Sequence, residues 1–169
     1  MKFFLNRSRV LLGFFFLLLY TTVSLSQKVT PITGKGLDSL IANRNGNILI
    51  LNIWATWCEP CREEFPDLIK LSSIYKNKKV QIATISVDYP DEVHDKIIPF
   101  LDSFHVPFST YVADFSSQDS LINQLNPEWS GAVPATFIFD KNGKQQKFLL
   151  GKQTRQQFKY AVDELLNKP

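Results

Sequence analysis

The sequence WATWCEPC, residues 54–61, places two cysteines three positions apart. It follows a nearly all-apolar run, ILILNIW at residues 48–54, which predicts a β-strand buried on both faces. Over residues 59–76 apolar side chains recur at helical spacing, with acidic residues near the start and lysines near the end, as the helix dipole favours. The two cysteines are therefore predicted to lie where a buried strand leaves a sheet and a helix begins.

A Cys-x-x-Cys pair at the start of a helix suits redox chemistry. Cys58 would lie beside the unpaired N–H groups and the positive end of the helix dipole, which stabilise a nucleophilic thiolate. Cys61 would lie about one turn deeper in the helix, close enough to attack a mixed disulfide formed by Cys58. Pro60 removes an N–H that would lack a partner at this position, and it stiffens the short ring.

Three other roles for the two cysteines are weaker. A structural disulfide across so short a loop would stabilise the fold little, because the stabilisation grows with loop length. A tetrahedral metal site needs two further ligands, and the only histidines, His94 and His105, lie more than thirty residues away with no ligand spacing between them. Inert buried cysteines would seldom fall as a pair at a predicted helix start. The motif therefore favours a redox dithiol, with no metal or other cofactor expected.

The rest of the chain alternates between strand and helix patterns and closes with a β-hairpin and a helix. The predicted strands are residues 80–87, 108–112, 135–139 and 145–150, and the predicted helices are residues 34–44, 91–104 (kinked at Pro99), 117–125 and 154–166. This order predicts an α/β domain with a mixed central β-sheet flanked by helices.

Length and composition are those of a single globular domain. The chain has 169 residues, two cysteines and a formal net charge of +3. Two cysteines exclude a disulfide-dense scaffold. The whole basic excess lies in the first 26 residues, at Lys2, Arg7 and Arg9, which leaves residues 27–169 with as many basic as acidic residues. A nucleic-acid-binding domain would keep a basic excess in its folded part, so no nucleic-acid partner is expected.

Residues 1–26 are predicted to be a secretory signal peptide. A basic start is followed by an uncharged apolar run at residues 10–20, and the small residues Ser24 and Ser26 stand at the −3 and −1 positions of a cut. The alternative is an uncleaved membrane anchor, although the apolar run is shorter than the ~20 residues of a spanning helix. In either case residues 27–169 would work in the periplasm or another extracytoplasmic space, touching the membrane only through a retained anchor.

Two segments of the chain resemble those of thioredoxin-like exported thiol–disulfide oxidoreductases of the TlpA/ResA-like family. The first is WATWCEPCREEFP at residues 54–66. The second is WSGAVPATF at residues 129–137, which is similar to the family's proline before a strand. The resemblance runs from about Gly34 to the end of the chain. It implies a thioredoxin fold with a βα insertion, residues 108–125, before the strand that follows the family's cis-proline.

The resemblance also implies roles for individual residues. Cys58 would attack the substrate disulfide, and Cys61 would resolve the mixed disulfide. Pro134 matches the family's cis-proline, and the backbone at Val133 would pair with a substrate chain like an added strand. The alternative for Pro134 is an ordinary proline at the start of a strand.

The residues that would handle protons differ from those of thioredoxin itself. Thioredoxins have a buried aspartate six residues before the attacking cysteine, where this chain has Asn52, which cannot accept a proton at neutral pH. Exported reductases of the family resemble this chain in having a glutamate three residues after the second cysteine, here Glu64. A partly buried carboxylate on the same helical face as Cys61 would have a raised pKa and could take the proton from that thiol. The alternative is that Glu64 is a solvated first-turn residue like Glu63.

Charged and aromatic residues near the cysteines would tune the site. Glu59 lies between them and opposes thiolate formation on Cys58, which predicts a reducing or intermediate couple rather than a strongly oxidising one. Trp57 is expected to shield the thiols and to offer a contact surface, whereas Trp54 is expected in the core. Trp129 could form the rim of a substrate groove or be an exposed loop aromatic.

Together these features predict an extracytoplasmic enzyme that reduces protein disulfides with the Cys58/Cys61 dithiol. The resemblance implies a part in cytochrome c maturation or in general thiol homeostasis. It also implies two partners, a disulfide-containing substrate protein and a membrane protein that donates thiol electrons, while the domain itself is expected to be a monomer. The alternatives are a thiol peroxidase, disfavoured because no Pro-x-x-x-Thr-x-x-Cys motif contains Cys58, and a non-catalytic metal- or peptide-binding module of the same fold.

Overall fold

Six strands form one sheet in residues 27–167, the part of the chain that the computed structural model describes. They are β1 (Val29–Ile32), β2 (Ile48–Trp54), β3 (Val80–Ser86), β4 (Ser109–Ala113), β5 (Ala135–Phe139) and β6 (Gln145–Leu150). Their order is β1-β4-β3-β2-β5-β6; the first four are parallel neighbours, and β5 pairs antiparallel with both β2 and β6. The prediction of a mixed central sheet is confirmed. The predicted signal peptide, residues 1–26, lies outside the described residues.

The helices of the described chain cover both faces of the sheet. They are α1 (Gly34–Ala42), α2 (Glu59–Tyr75), α3 (Ile98–Phe104), α4 (Gln118–Leu125) and α5 (Arg155–Leu166). Core residues of α1 and α4 pack on one face, and those of α2, α3 and α5 pack on the other. Within residues 27–167 no helix is long and apolar enough to cross a bilayer.

Strand β2 supplies core to both layers, as its apolar sequence predicts. Side chains alternate between the two faces of a strand. Leu49, Leu51 and Ile53 accordingly pack toward α1 and α4, whereas Ile48 and Ile50 pack toward α2 and α5. All seven residues of β2 are buried. This strand leads directly into the two cysteines, so a rigid central element positions them.

Strand β1 was not predicted from the sequence. It is a four-residue edge strand that pairs in parallel with β4, placing Pro31 opposite Val112. A proline lacks the N–H that a central strand would need, and it is tolerated at a sheet edge. The short segment carries no apolar run or alternation strong enough to predict a strand.

The segment after β3 differs from the predicted single helix with a kink at Pro99. It is divided into a 3₁₀ turn (Pro90–Glu92), a π-helical turn (Val93–Ile97) and α3. The π-helical turn runs directly into α3, where the Ile98 N–H donates to the Val93 carbonyl five residues back, and Pro99 is the second residue of α3. The break therefore precedes the proline. Downstream, residues 108–125 form β4 and α4, and their interpretation as an insertion stays a prediction.

Candidate active site

The two cysteines lie at the junction of β2 and α2. Cys58 is the N-cap residue of α2, and the Cys61 N–H donates to Cys58 Sγ at 3.3 Å. Their sulfurs are joined as a disulfide, with the two Cα atoms 5.2 Å apart. Cys58 is 5% exposed and Cys61 1% exposed. The structure therefore shows the oxidised form of the pair, with Cys58 the more exposed of the two residues.

Aromatic residues surround the disulfide on its inner side. Trp54 is fully buried, as predicted, and its ring centroid lies 4.5 Å from that of Phe65 in α2. Both rings belong to the same apolar cluster as the two cysteines. Trp57, by contrast, is 66% exposed, directly before Cys58. The disulfide therefore lies between buried aromatic rings on its inner side and the exposed indole of Trp57 on its outer side.

An open groove adjoins this exposed indole. Its volume is about 610 Å³, and its lining combines apolar and charged side chains: Trp57, Glu59, Arg62, Glu63, Pro66 and Phe104. The groove follows the outer surface of the first two turns of α2. Its open shape and mixed lining suit a polypeptide better than a small buried molecule.

The loop before β5 approaches the disulfide from the neighbouring strand. The Val133–Pro134 peptide bond is cis, as the resemblance implied. Pro134 is buried, and Val133 packs against the cluster that contains both cysteines. Strands β5 and β2 pair with Ala135 opposite Ile53, which brings the ends of these two segments together. The contact of Val133 with a substrate chain stays a prediction.

Glu64 lies one turn after Cys61 in α2, with its carboxylate enclosed by hydrogen-bond donors. The Asn52 Nδ2 donates to Oε1 at 2.7 Å, and the backbone N–H of Gln153 donates to Oε2 at 2.5 Å. The side chain is 1% exposed. The alternative of a solvated Glu64 is therefore wrong, although Glu63 is indeed exposed.

Burial raises the pKa of Glu64 from 4.5 to about 7. The hydrogen bonds from Gln153 and Asn52 lower it in part. Of the nearby charges, Asp67 raises this pKa and Lys152 lowers it. Removal of a carboxylate from water penalises its charged form, and here the penalty outweighs the donors. Near neutral pH this group can both take up and release a proton.

The raised pKa makes stability depend on pH in a specific direction. Between pH 4.5 and about 7 the folded protein keeps a proton on Glu64 that the unfolded chain has released, so the free energy of unfolding should fall as pH rises. The contribution is complete below pH 4.5 and lost by about pH 7, and it amounts to about 3 kcal/mol. Denaturant unfolding of the oxidised protein across this range measures it. Glu64→Gln should lack this fall, and an equal slope in both proteins would contradict the prediction.

Three acidic side chains of α2 bind the segment that leads into α5. Glu63 pairs with Lys152 at 2.6 Å. Glu64 accepts from the Gln153 N–H, and Asp67 accepts from the Arg155 N–H at 3.2 Å. We call these three contacts the α2–α5 clasp. It supplies one of the two donors that hold the Glu64 carboxylate.

Asp88 is a buried carboxylate beside the active-site turn that the sequence analysis missed. It accepts from the Thr56 N–H at 2.9 Å, from the Thr56 hydroxyl at 2.6 Å and from the Ser86 hydroxyl. These bonds join the end of β3 to the turn that carries Trp57 and Cys58. A signal did exist, because an aspartate directly after a buried strand lies at the same sheet edge as the cysteines.

Trp129 corrects both of the expectations raised for it. It is 3% exposed, its ring packs edge-on against Phe137, and its indole N–H donates to the Ala132 carbonyl at 2.8 Å. A tryptophan whose N–H finds a backbone acceptor can be buried without cost. It therefore holds the loop before Pro134 rather than lining a groove.

Within residues 27–167 no group of three or more His, Cys, Asp or Glu side chains is arranged to hold a metal ion. The chemistry available at this site is that of the disulfide, the buried carboxylate and the backbone around the cis-proline.

Known proteins resemble this chain in sequence and in fold. The sequence model of the AhpC/TSA family matches residues 28–147. A thiol-disulfide oxidoreductase ResA of Geobacillus kaustophilus is 30% identical over 131 residues, covering 78% of this chain and 70% of that protein.

Two solved structures place the chain among thioredoxin folds. A DsbF homologue of Corynebacterium diphtheriae has a TM-score of 0.62 and 27% identity, covering 74% of this chain and 76% of that one. A thiol:disulfide interchange protein of the thioredoxin family from Chlorobium tepidum has a TM-score of 0.64 and 22% identity, covering 75% and 84%. The predicted thioredoxin fold is confirmed.

Proposed function

The chain belongs to the AhpC/TSA family, as a thioredoxin-fold thiol–disulfide oxidoreductase, and from this premise we propose that it reduces disulfide bonds of exported proteins. The observation that carries the proposal is the arrangement of three residues. Cys58 caps α2 and is the more exposed cysteine, Cys61 lies within the first turn of the helix, and Glu64 follows with a pKa of about 7.

The first step is an attack by the Cys58 thiolate on one sulfur of a substrate disulfide. A bond forms between Cys58 and that sulfur, the substrate S–S bond breaks, and the leaving thiolate takes a proton from water. The positive end of α2 stabilises the attacking thiolate, whereas the exposed negative charge of Glu59 limits this stabilisation. A strongly stabilised thiolate favours the reduced form of the pair and so makes its disulfide a strong oxidant. The limited stabilisation at Cys58 therefore supports the reducing direction.

The second step releases the reduced substrate. Cys61 gives its proton to Glu64 and attacks Cys58 Sγ, which forms the Cys58–Cys61 disulfide and expels the second substrate thiol. Two electrons have then passed from the dithiol to the substrate. The arrangement in the structure is the product of this step, and a pKa near 7 lets Glu64 return the proton to solvent.

Substrate recognition involves the surfaces on either side of the disulfide. Val133 would offer its backbone to an extended substrate segment, with the cis peptide to Pro134 shaping the loop. The exposed Trp57 and the groove along α2 would contact the folded body of the substrate. Pro60 stiffens the ring between the two cysteines. None of these contacts requires a cofactor.

The setting and partners follow from the sequence pattern and the chemistry. The pattern at residues 1–26 supports an extracytoplasmic location, reached by cleavage or by retention as an anchor. A dithiol outside the cytosol needs a source of electrons, so a membrane protein that carries thiol electrons would recharge this monomeric domain. Its substrates would be proteins in cytochrome c maturation or in general thiol homeostasis.

A Cys61→Ser variant tests the proposed function. Without its resolving thiol, Cys58 should remain joined to its substrates, so disulfide-linked protein adducts should accumulate in cells that export the variant. Non-reducing electrophoresis followed by mass spectrometry detects and identifies them. The matched control is Cys58→Ser, which keeps Cys61 and should accumulate none, because the remaining thiol is the more buried. If Cys61→Ser traps no protein while peroxide alone oxidises Cys58, the chain is a peroxidase and the proposal is wrong.

A further inference from the structure

The side-chain amide of Asn52 is bound at one end only. Its Nδ2 donates to Glu64 Oε1 at 2.7 Å and to the Thr136 hydroxyl at 2.9 Å, so both of its N–H groups have partners. Its Oδ1 is buried and has no hydrogen-bond partner in the described chain. An unpaired buried acceptor is costly and calls for a physical reason. The orientation suits an ionised Glu64, which can only accept.

A protonated Glu64 would require a different partner. The Gln153 N–H belongs to the backbone and cannot turn, so it keeps Oε2 as an acceptor. Oε1 is then the oxygen better placed to carry the proton, and it faces Asn52. A carboxylic O–H is a donor, whereas the amide nitrogen at this place is also a donor. The observed orientation of Asn52 therefore serves only one of the two protonation states.

Rotation of the amide by half a turn would serve the other state. It would put Oδ1, with two lone pairs, where Nδ2 now offers two N–H groups. The Glu64 O–H could then donate to one lone pair and the Thr136 hydroxyl to the other, since a hydroxyl both donates and accepts. In either orientation the end of the amide that faces away from Glu64 has no partner among the described residues, and in the observed one this end is Oδ1.

We propose that the Asn52 side chain is a proton-linked switch, donating to Glu64 when it is ionised and turning over to accept from it when it is protonated. This inference rests on the proposed role of Glu64 as the acceptor of the Cys61 proton. Asn52 acts as a positioning residue, because it stabilises whichever protonation state Glu64 has and makes its hydrogen bonds to Glu64 and Thr136, not to the reacting sulfurs. An aspartate at this position could not donate to the ionised form.

The other groups around Glu64 leave this role to Asn52. From α2, Cys61 delivers the proton, and Asp67 contributes a nearby negative charge. From the segment before α5, Lys152 contributes a positive charge but is already paired with Glu63. Strands β2 and β5 present only the neutral Asn52 and Thr136. Asn52 is the neighbour that can reverse its hydrogen-bonding sense.

Nuclear magnetic resonance of the oxidised, isotopically labelled protein tests the switch without any substitution. The coupling transmitted through the hydrogen bond between Asn52 Nδ2 and the Glu64 carboxyl carbon should be present above pH 7. It should disappear as pH falls, with the same midpoint as the chemical shift of that carbon. In Glu64→Gln, which cannot titrate, the Asn52 amide signals should not change across this range. Persistence of the coupling below the Glu64 midpoint would overturn the proposal.

An Asn52→Asp variant tests the contact between Asn52 and Glu64 on which the switch depends. A carboxylate there cannot donate and adds a like charge, so Glu64 should hold its proton about tenfold more tightly or better. An unchanged Glu64 midpoint would also overturn the switch. If the Glu64 carbon shift titrates but the Asn52–Glu64 coupling persists, the switch is wrong, and the proposed role of Glu64 is not affected. If Asn52 follows but Cys61→Ser traps no protein while peroxide alone oxidises Cys58, the proposed function is wrong instead.

Discussion

Glu64→Gln should slow the release of reduced substrate by about 100-fold near pH 7, the lower end of what a positioned general base contributes. Glutamine has nearly the same size, and its carbonyl oxygen can still accept from the Gln153 N–H, so the local fold should persist. It cannot take the proton from Cys61, which is buried and has little access to water as a base. The attack by Cys58 on the substrate should be nearly unaffected, because that step does not use Glu64.

The two steps can be separated by rapid mixing. The mixed disulfide between Cys58 and a model peptide is formed first, and the release of the peptide thiol is then followed between pH 6 and pH 9. The defect should shrink toward the upper end of this range, because hydroxide increasingly replaces Glu64 as the base that removes the thiol proton. The matched control is Glu128→Gln, which also neutralises a glutamate but at an exposed position outside the α2–α5 clasp and the groove. Equal release rates and pH profiles in Glu64→Gln and the unsubstituted protein would remove Glu64 from the mechanism.

Phe65→Ala should cost about 3–5 kcal/mol of the free energy of unfolding, the usual range for removing a large buried aromatic side chain. Phe65 is fully buried behind the dithiol. Its ring centroid lies 4.5 Å from that of Trp54 and 4.9 Å from that of Phe100, and Phe104 and Phe108 are 6.4 and 6.3 Å away. Two of the neighbouring rings, Phe100 and Phe104, belong to α3. They cannot fill the cavity left by Phe65 unless α3 moves. The loss is a large share of a typical total of about 5–15 kcal/mol.

Denaturant unfolding of the oxidised protein at one fixed pH measures this loss. Tyr160→Ala is the matched control, since it also removes an aromatic ring but from a position that is three-quarters exposed. Surface changes of that kind alter stability by less than about 0.5 kcal/mol. If Phe65→Ala lowers the free energy of unfolding no more than Tyr160→Ala does, the buried aromatic rings behind the dithiol do not stabilise the fold as argued.

The sequence alone predicted the elements whose signals are local. The buried strand β2, the long helix α2 and the Cys-x-x-Cys junction between them form one continuous stretch, and each has a strong pattern of its own. The hairpin of β5 and β6 joins two predicted strands across a short turn, and the structure pairs them as expected. These elements carry most of the fold and both cysteines.

Contacts between distant segments could not be predicted in this way. Strand β1 exists because β4 offers it an edge, and nothing in its four residues requires a strand. The Gln153 N–H that grips Glu64 comes from a position 89 residues further along the chain. For Trp129 the sequence left two interpretations, a groove rim and an exposed loop aromatic, because its burial depends on packing against Phe137 in β5. From the sequence, Asn52 was notable only because it replaces the aspartate of thioredoxins. The structure adds that its two N–H groups donate to Glu64 and Thr136.

Because of the α2–α5 clasp, the smallest working form of this protein must include the segment that leads into α5. The acidity of the group that serves the dithiol depends partly on an amide of the segment leading into the last helix, at the far end of the chain. Removal of the C-terminal helix would therefore change the chemistry at the cysteines as well as the stability of the domain. The redox motif at residues 58–61 cannot be transplanted with its immediate neighbours alone. A shortened or grafted version must therefore keep both the acidic residues of α2 and the segment from Lys152 to Arg155 that they bind.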